Sequence, residues 1–321
     1  MDSFIPWIGG KKLLRKEIVN RFPDGYTKYK YVEVFGGAGW VLFAKKPERF
    51  EVYNDANSNL TNMFHVLKHK PMSFVKELGF LPLNSRAEFD LMLDWHRKQD
   101  FSLPYQTEEM ALAKIYLSPI DFREYKELIT TQAELGDVRR AATFYKLIRY
   151  SYAAGGNSFN GQPVNIAQTY RTIWLANRRL NENGMKSDSE ILMAGGNPGK
   201  GVIIQNKSFE VIIALYDSPT TFFYLDPPYF GTEKQYEELF TLEQHYLLRE
   251  VLGKIEGFFM LSYNDCEFIR ELYKDFYVTP FERLNSISQK YTPGGMFKEL
   301  VITNYDPELR LKSQPKQLTL L

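Results

Sequence analysis

The chain has 321 residues, of which 44% are hydrophobic and 25% charged, and a formal net charge of +1. This is ordinary globular usage, enough for one large α/β domain with an insert or for two modest domains. No apolar run approaches the roughly 20 residues that cross a bilayer, the N-terminus lacks the pattern of a secretory signal, and the single cysteine, Cys266, excludes an internal disulfide and a cysteine-based zinc site. A reducing, cytoplasmic setting is expected, with Cys266 as a small apolar core residue.

The chain opens with a short strand-like entry and a helix over Lys11 to Arg21. Tyr31–Phe35 is a β-rich run that breaks into Gly36-Gly37-Ala38-Gly39, and Trp40 to Ala44 begins a helix. A second strand, Phe50–Tyr53, ends at Asn54-Asp55, which completes the opening β-α-β of a parallel sheet. From about Asn59 to Leu180 the periodicity is helical. Met63, Val66 and Leu67 form one apolar stripe, and Leu91, Leu93 and Trp95 belong to another helix. Ala153 to Pro163, rich in glycine and asparagine, reads as a loop or hairpin. Val202–Ile204, Thr221–Leu225, Phe258–Leu261 and Glu299–Ile302 are continuous apolar runs, which suit strands buried on both faces. The expected architecture is a discontinuous α/β domain, residues 1–60 and 197–306, interrupted by a mostly helical insert, residues 61–196, and followed by a flexible polar tail, residues 307–321.

Between Val138 and Asn181 there is no Asp or Glu, yet there are seven basic residues: Arg139, Arg140, Lys146, Arg149, Arg171, Arg178 and Arg179. Phe144, Tyr145, Tyr150, Tyr152, Phe159, Tyr170 and Trp174 are interleaved with them. Arginines supply phosphate and base-edge contacts, and aromatic rings offer stacking or wedge surfaces. A pair of amphipathic helices with solvated basic faces would leave the same pattern.

Two turns carry chemistry. In Phe35-Gly36-Gly37-Ala38-Gly39, a strand leads through glycines into a helix, so backbone can approach a ligand closely. A dinucleotide fingerprint needs a third glycine at position 42, which is leucine here. Asp55, at the end of the next strand, is placed to accept hydrogen bonds from ribose hydroxyls. Together these indicate a nucleoside-type cofactor without a pyrophosphate. The second turn is Asp226-Pro227-Pro228-Tyr229. Two prolines after an apolar strand stiffen the chain and present the Asp226 carboxylate and the Pro227 carbonyl as acceptors beside an aromatic ring. An exocyclic amine on a purine needs that arrangement, because its lone pair is delocalised into the ring. Two accepted N–H bonds draw the nitrogen toward tetrahedral geometry, and stacking on Tyr229 would hold a flipped base.

These turns, with others in the same order, resemble the Dam-type DNA adenine-N6 methyltransferases. Trp7-Ile8-Gly9-Gly10-Lys11 is similar to the family's Trp-x-Gly-Gly-Lys segment, Glu33–Gly39 to its glycine loop, Tyr53–Asn57 to its ribose-binding strand end, and Asp226–Tyr229 to its catalytic tetrapeptide. Phe240–Gln244, Leu261–Asn264, Ser286–Ser288, Gly294-Gly295 and Glu299-Leu300 resemble later family segments, and Ser208-Phe209 the segment beside the cofactor adenine. The resemblance spans roughly residues 4 to 305. It implies a Rossmann-like S-adenosylmethionine-dependent methyltransferase sheet with a helical DNA target-recognition insert, acting on N6 of a flipped adenine in double-stranded DNA. S-adenosylmethionine would be held by Trp7, Lys11, Glu33, Phe35, Gly37, Gly39, Asp55, Ser208, Phe209 and Asp226, with Asp226, Pro227, Pro228 and Tyr229 catalytic and no metal. Within the insert, Arg149, Asn157 and Arg171 are the candidate DNA contacts. The insert matches only loosely, so no recognition sequence is carried over.

The alternative readings are methylation of an amine in RNA or protein, a catalytically silent DNA-binding module and, more distantly, a nicotinamide-dependent oxidoreductase. His65 and His69 have an i, i+4 metal-like spacing but no third ligand nearby, so metal binding is not expected. His96 and His245 are expected on helix surfaces. Gln317-Leu318-Thr319-Leu320-Leu321 is similar to the Gln-Leu-x-Leu-Phe peptides that dock bacterial proteins on the replication sliding clamp.

Overall fold

The computed structural model describes residues 1–79, 85–98, 111, 113–119, 122–123, 137–160, 165–182, 201–231, 240–284 and 296–308. The tail peptide 317–321 and the segments 286–288 and 294–295 lie outside the described residues. In chain order the strands are β1 (Lys30–Glu33), β2 (Glu51–Asn54), β3 (Ile203–Gln205), β4 (Thr221–Leu225), β5 (Phe258–Asn264), β6 (Tyr277–Leu284) and β7 (Met296–Thr303). The described helices are α1 (Arg15–Asn20), α2 (Trp40–Ala44), α3 (Ser58–His69), α4 (Pro71–Leu78), α5 (Arg86–Lys98), α6 (Val138–Arg149), α7 (Ile166–Asn181), α8 (Phe209–Tyr216), α9 (Leu242–Leu252) and α10 (Glu267–Leu272). The chain forms two compact units, residues 1–3, 8–57 and 179–321 in one and residues 4–7 and 58–178 in the other.

The first unit is built on one sheet with strand order β3-β2-β1-β4-β5-β7-β6. β3, β2, β1, β4 and β5 pair in parallel, and β7 enters antiparallel between β5 and β6. Period-two alternation sorts the side chains of the central strands onto two faces. Val32, Val34, Phe223 and Leu225 point into a core completed by Ile212 and Ile213 of α8, Leu248 and Leu252 of α9 and Ile269 of α10. On β1 and β4 the alternate residues Tyr31, Phe222 and Tyr224 surround the ring of Phe22. All five residues of β4 are buried, as its unbroken Thr-Phe-Phe-Tyr-Leu run requires in the middle of a sheet covered on both sides.

Three details of this unit differ from the expectations. The residues before α1 form turns rather than a strand. β6 had no recognised strand signal, because Pro280 interrupts it. It is an edge strand, where a missing ladder donor is tolerated. His245, expected on a helix surface, is fully buried. It shares the inner face of α9 with Leu248 and Leu252, at i, i+3 and i+7, and its Nδ1 lies 2.6 Å from the Tyr263 hydroxyl. Cys266 is half-buried against the core.

β2 carries an interior charge cluster. Arg179 grips Glu51 with two bonds of 2.7 Å, and Lys45 reaches Glu51 and, at 3.5 Å, Glu48. Arg179 therefore leaves the list of solvent-facing basic residues: it is a buried structural cation. Burial favours neutral Glu51, but Lys45 and Arg179 together outweigh it and hold the Glu51 pKa below the usual carboxylate value.

In the second unit, α6 packs its Ala141, Phe144, Tyr145 and Ile148 face among neighbouring helices. Asp137 caps α6 by accepting from the Arg140 N–H at 2.9 Å, and Asn62 of α3 bonds both main-chain groups of Asp137, at 3.0 and 2.8 Å. Met63, Val66 and Leu67 are buried. On α5, however, Phe89 is the buried anchor, with Met92 and Leu93 packed on its cluster, whereas Leu91 is 72% exposed. Leu91, Leu93 and Trp95 all lie on this helix as expected, with Leu91 and Leu93, two residues apart, on different faces of it. His96 is half-buried and stacks on Phe144 at 5.9 Å, and His65 and His69 stack on each other at 6.2 Å.

Candidate active site

The chain runs outward from β1 through β2 to β3, then returns to the other side of β1 for β4 and β5. The strand order therefore reverses between β1 and β4, and the crevice beyond their carboxyl ends is where open α/β sheets bind ligands. Glu33 pairs in register with Tyr224, and the Val34 N–H donates to the Tyr224 carbonyl at 2.9 Å. The two turns singled out from the sequence therefore leave the sheet side by side.

The turn after β1 is held by the end of β2. The Gly37 N–H donates to Asp55 Oδ2 at 2.7 Å, the Tyr53 hydroxyl donates to the Gly37 carbonyl at 2.6 Å, and the Gly36 N–H donates to the Asn54 carbonyl at 2.8 Å. Gly36 lies against the Tyr53 ring so closely that a Cβ there would come within 2.2 Å of it. Asp55 also accepts from the Asn57 N–H at 2.8 Å, and a carboxylate offers about four acceptor positions, so these bonds fix its plane. Asn54 and Asn206, to which sequence reasoning gave no role, stitch the strand ends together. The Asn54 side-chain amide donates to the Val34 and Lys207 carbonyls at 2.8 and 3.0 Å, and the Asn206 amide donates to the Asp55 and Ala56 carbonyls at 2.8 and 2.9 Å. Phe35, Phe209 and Phe240 form a three-ring group with centroids 5.8 Å apart, and exposed Ser208 precedes α8 beside it. Glu33 is interior: it accepts from the Tyr31 hydroxyl at 2.6 Å, and burial pushes its pKa from 4.5 up to about 8.

After β4, Asp226 is half-buried and Pro227 buried. Lys11 Nζ lies 2.6 Å from Asp226 Oδ1, and the same ammonium sits 4.8 Å from the Tyr229 ring centroid. Tyr229 is only 6% exposed; its hydroxyl donates to Glu299 Oε2 at 2.9 Å. The stacking surface expected of this ring is therefore covered in this conformation. Glu299 is a further site residue. Its acidic side chain beside an apolar run hints at burial, but nothing local in the sequence identifies Tyr229 as its partner.

Trp7 packs in the helical unit, 5.9 Å from Phe144. In the same unit Arg149 is half-buried, Arg171 is exposed on α7, and Asn157 is exposed, its Oδ1 accepting from Arg97 at 2.8 Å. Asn157 sits in a turn closed by the Ser151–Phe159 bridge, with Tyr152 exposed beside it. Arg140 is tied to Asn59 and Ser58 at 2.8 and 2.6 Å. No group of three metal-ligating side chains occurs among the described residues, and no described helix is long and apolar enough to cross a membrane.

A parallel sheet whose order reverses between β1 and β4, with antiparallel β7 set between β5 and the edge strand β6 and these two turns at the switch point, is consistent with an α/β methyltransferase. The chain belongs to the D12 class of N6 adenine-specific DNA methyltransferases, whose family profile matches residues 7–292. It is 24% identical over 315 residues to the type II methyltransferase M1.LlaDCHI of Lactococcus lactis subsp. cremoris, covering 95% of this chain and 96% of that protein. Over 122 residues it is 32% identical to a DNA adenine methylase of Vibrio cholerae, covering 37% of this chain and 41% of that protein. A DNA adenine methylase of Serratia marcescens is 28% identical over 119 residues. The protein is thus an adenine-specific DNA methyltransferase, and the readings as an RNA or protein methylase, a silent DNA-binding module or an oxidoreductase are set aside.

Proposed function

We propose that the crevice between the ends of β1 and β4 holds S-adenosylmethionine and a flipped adenine, with Asp226-Pro227-Pro228-Tyr229 as the catalytic turn. The observation that carries this reading is the register of Glu33 with Tyr224, which sets the glycine turn and the catalytic turn side by side. The residues fit an adenosyl group. Asp55 is oriented at a strand end for ribose hydroxyls, Gly37 and Gly39 adopt positive φ of 49° and 66° that keep the loop main chain close, and Phe35 and Phe209 offer apolar ring surface. Lys11, Ser208 and Asp226 complete the set, with Glu33 supporting the turn from within; Trp7 joins it through the Trp-x-Gly-Gly-Lys segment it shares with Lys11. When bound, S-adenosylmethionine supplies a methyl group on a sulfonium.

Asp226 and the Pro227 carbonyl accept the two N6–H bonds of adenine and localise the nitrogen lone pair; Pro228 keeps the turn rigid. Held by these residues, the donor would supply its methyl group to N6, with sulfur keeping the electrons of the bond it gives up. The surplus N6 proton, acidified by methylation, passes to Asp226 and on to solvent. The chain's own contribution is chiefly positioning.

The helical unit is proposed to read duplex DNA, through Arg171 and Arg149 at phosphates or base edges and Asn157 at an adenine edge. A cytoplasmic site of action goes with that substrate. The tail peptide Gln317–Leu321 would dock on the sliding clamp; unchanged clamp affinity after deletion of residues 315–321 overturns that part. Expression in a bacterial strain free of DNA methylation, followed by modification-sensitive sequencing, tests the catalytic reading. Methyladenine in one short motif, lost with Asp226→Ala, supports it; modified adenine that persists in Asp226→Ala refutes the assignment.

A further inference from the structure

Lys11 is shared between two carboxylates. Its Nζ lies 2.6 Å from Asp226 Oδ1 and 4.0 Å from Glu299 Oε2, and it donates to the Gly9 carbonyl at 3.1 Å. An ammonium has three donors; Gly9 and Asp226 take two, which leaves the third for Glu299. Glu299 is 2% exposed and accepts from the Tyr229 hydroxyl with the same oxygen. Directly across the β5–β7 ladder stands Asn264, whose amide donates to the Phe230 carbonyl at 3.0 Å. One cross-strand pair therefore grips two consecutive residues at the end of the catalytic turn, Tyr229 by its hydroxyl and Phe230 by its main chain.

This geometry has a consequence for the reaction. An Asp226 oxygen engaged by an ammonium is a weaker acceptor for the adenine amine than one released from it. Moving Lys11 Nζ by about 1 Å would bring it to charge-assisted bonding distance of Glu299. Without that second carboxylate the displaced ammonium would be left buried and unpaired, a state strongly disfavoured in a desolvated pocket.

We infer that Glu299 is a positioning residue for methyl transfer, which receives the Lys11 ammonium when Asp226 turns to the adenine amine and keeps Tyr229 fixed during the exchange. The inference rests on the catalytic reading of Asp226 proposed above. The test uses the full-length enzyme, radiolabelled S-adenosylmethionine and genomic DNA from a methylation-free strain, with single-turnover transfer rates, cofactor affinity and thermal melting measured for each variant. Glu299→Gln retains an acceptor for Tyr229 but removes the charge. It should melt near the wild type and bind cofactor within about 3-fold, yet transfer methyl groups on the order of 10- to 100-fold more slowly. Glu299→Asp should recover part of the rate. In a Lys11→Met background the Glu299→Gln change should cost nothing further, because the ion to be received is gone. A wild-type transfer rate in Glu299→Gln, or a full additional loss in the double variant, overturns the inference while an inactive Asp226→Ala keeps the catalytic reading in place; an active Asp226→Ala would remove that reading itself.

Discussion

The main-chain N–H of Gly37 donates to the Asp55 carboxylate at 2.7 Å, so the turn after β1 and the end of β2 move as one piece. Asp55 thus has two tasks, ordering the glycine turn and offering oxygens to a ribose. Asp55→Ala removes both. Hydrogen bonds to a charged group contribute about 1.5–3 kcal/mol each, so cofactor affinity should fall roughly 10- to 100-fold even if only the ribose contact is lost. Titration calorimetry with S-adenosylmethionine reads this directly; an unchanged Kd would remove Asp55 from the cofactor site.

Arg171 and Arg179 lie in one acid-free stretch, yet they should fail in different ways. Arg179→Ala leaves Glu51 buried beside Lys45 alone. Breaking a buried pair by removing one partner costs about 3–5 kcal/mol, visible as a lower midpoint in urea. Arg171→Ala, on an exposed helix face, should leave stability within about 0.5 kcal/mol. It should instead weaken binding to duplex DNA and lower the slope of log affinity against log salt by about 1. If Arg171→Ala binds DNA as well as the wild type at every salt concentration, this residue is not a phosphate contact.

The contrast between these arginines marks the limit of sequence reading here. The strand–glycine–helix pattern and the proline turn were legible because each encodes backbone geometry locally. β4 was legible because a fully buried strand needs an unbroken apolar run. Burial of a charge is not local in that sense. Arg179 and Arg171 have the same chemistry and similar neighbours, and only Glu51, more than a hundred residues away in sequence, makes one of them interior. Glu299 and His245 escaped for the same reason, since their partners Tyr229 and Tyr263 come from other strands and loops. β6 escaped because edge position, which excuses Pro280, is a property of the sheet and not of the segment.

Glu33 makes stability depend on pH in a direction opposite to most carboxylates. Burial raises its pKa from 4.5 to about 8, although the Tyr31 hydroxyl and Lys45 oppose the shift. Between those values the folded protein holds a proton there that the unfolded chain has lost. Stability from this group is therefore fully present below about pH 4.5 and is lost as pH rises toward and through 8. Glu33→Gln keeps an acceptor for Tyr31 and cannot ionise, so its unfolding free energy should exceed that of the wild type increasingly from pH 5.5 to 8.5. Urea denaturation at several pH values checks the trend; parallel curves for the two proteins would place the ionised carboxylate comfortably in the fold.

Gly36 tests how far the glycine turn tolerates displacement. A Cβ at this position would come within 2.2 Å of the Tyr53 ring, and that ring is itself fully buried and tied through its hydroxyl to Gly37. Neither side can yield without moving the turn. Gly36→Ala should therefore cost about 1–3 kcal/mol, the range for overpacking a well-filled interior, and should weaken cofactor binding by shifting Gly37 away from Asp55. Tyr53→Leu in the same chain removes the colliding atoms, so the double variant should regain part of the melting temperature lost by Gly36→Ala. It should not regain full cofactor affinity, because the hydroxyl bond to the Gly37 carbonyl is gone as well. Thermal melting and calorimetric titration on the three variants separate the two effects, and a Gly36→Ala protein with wild-type values in both would show that the turn accommodates a side chain at no cost.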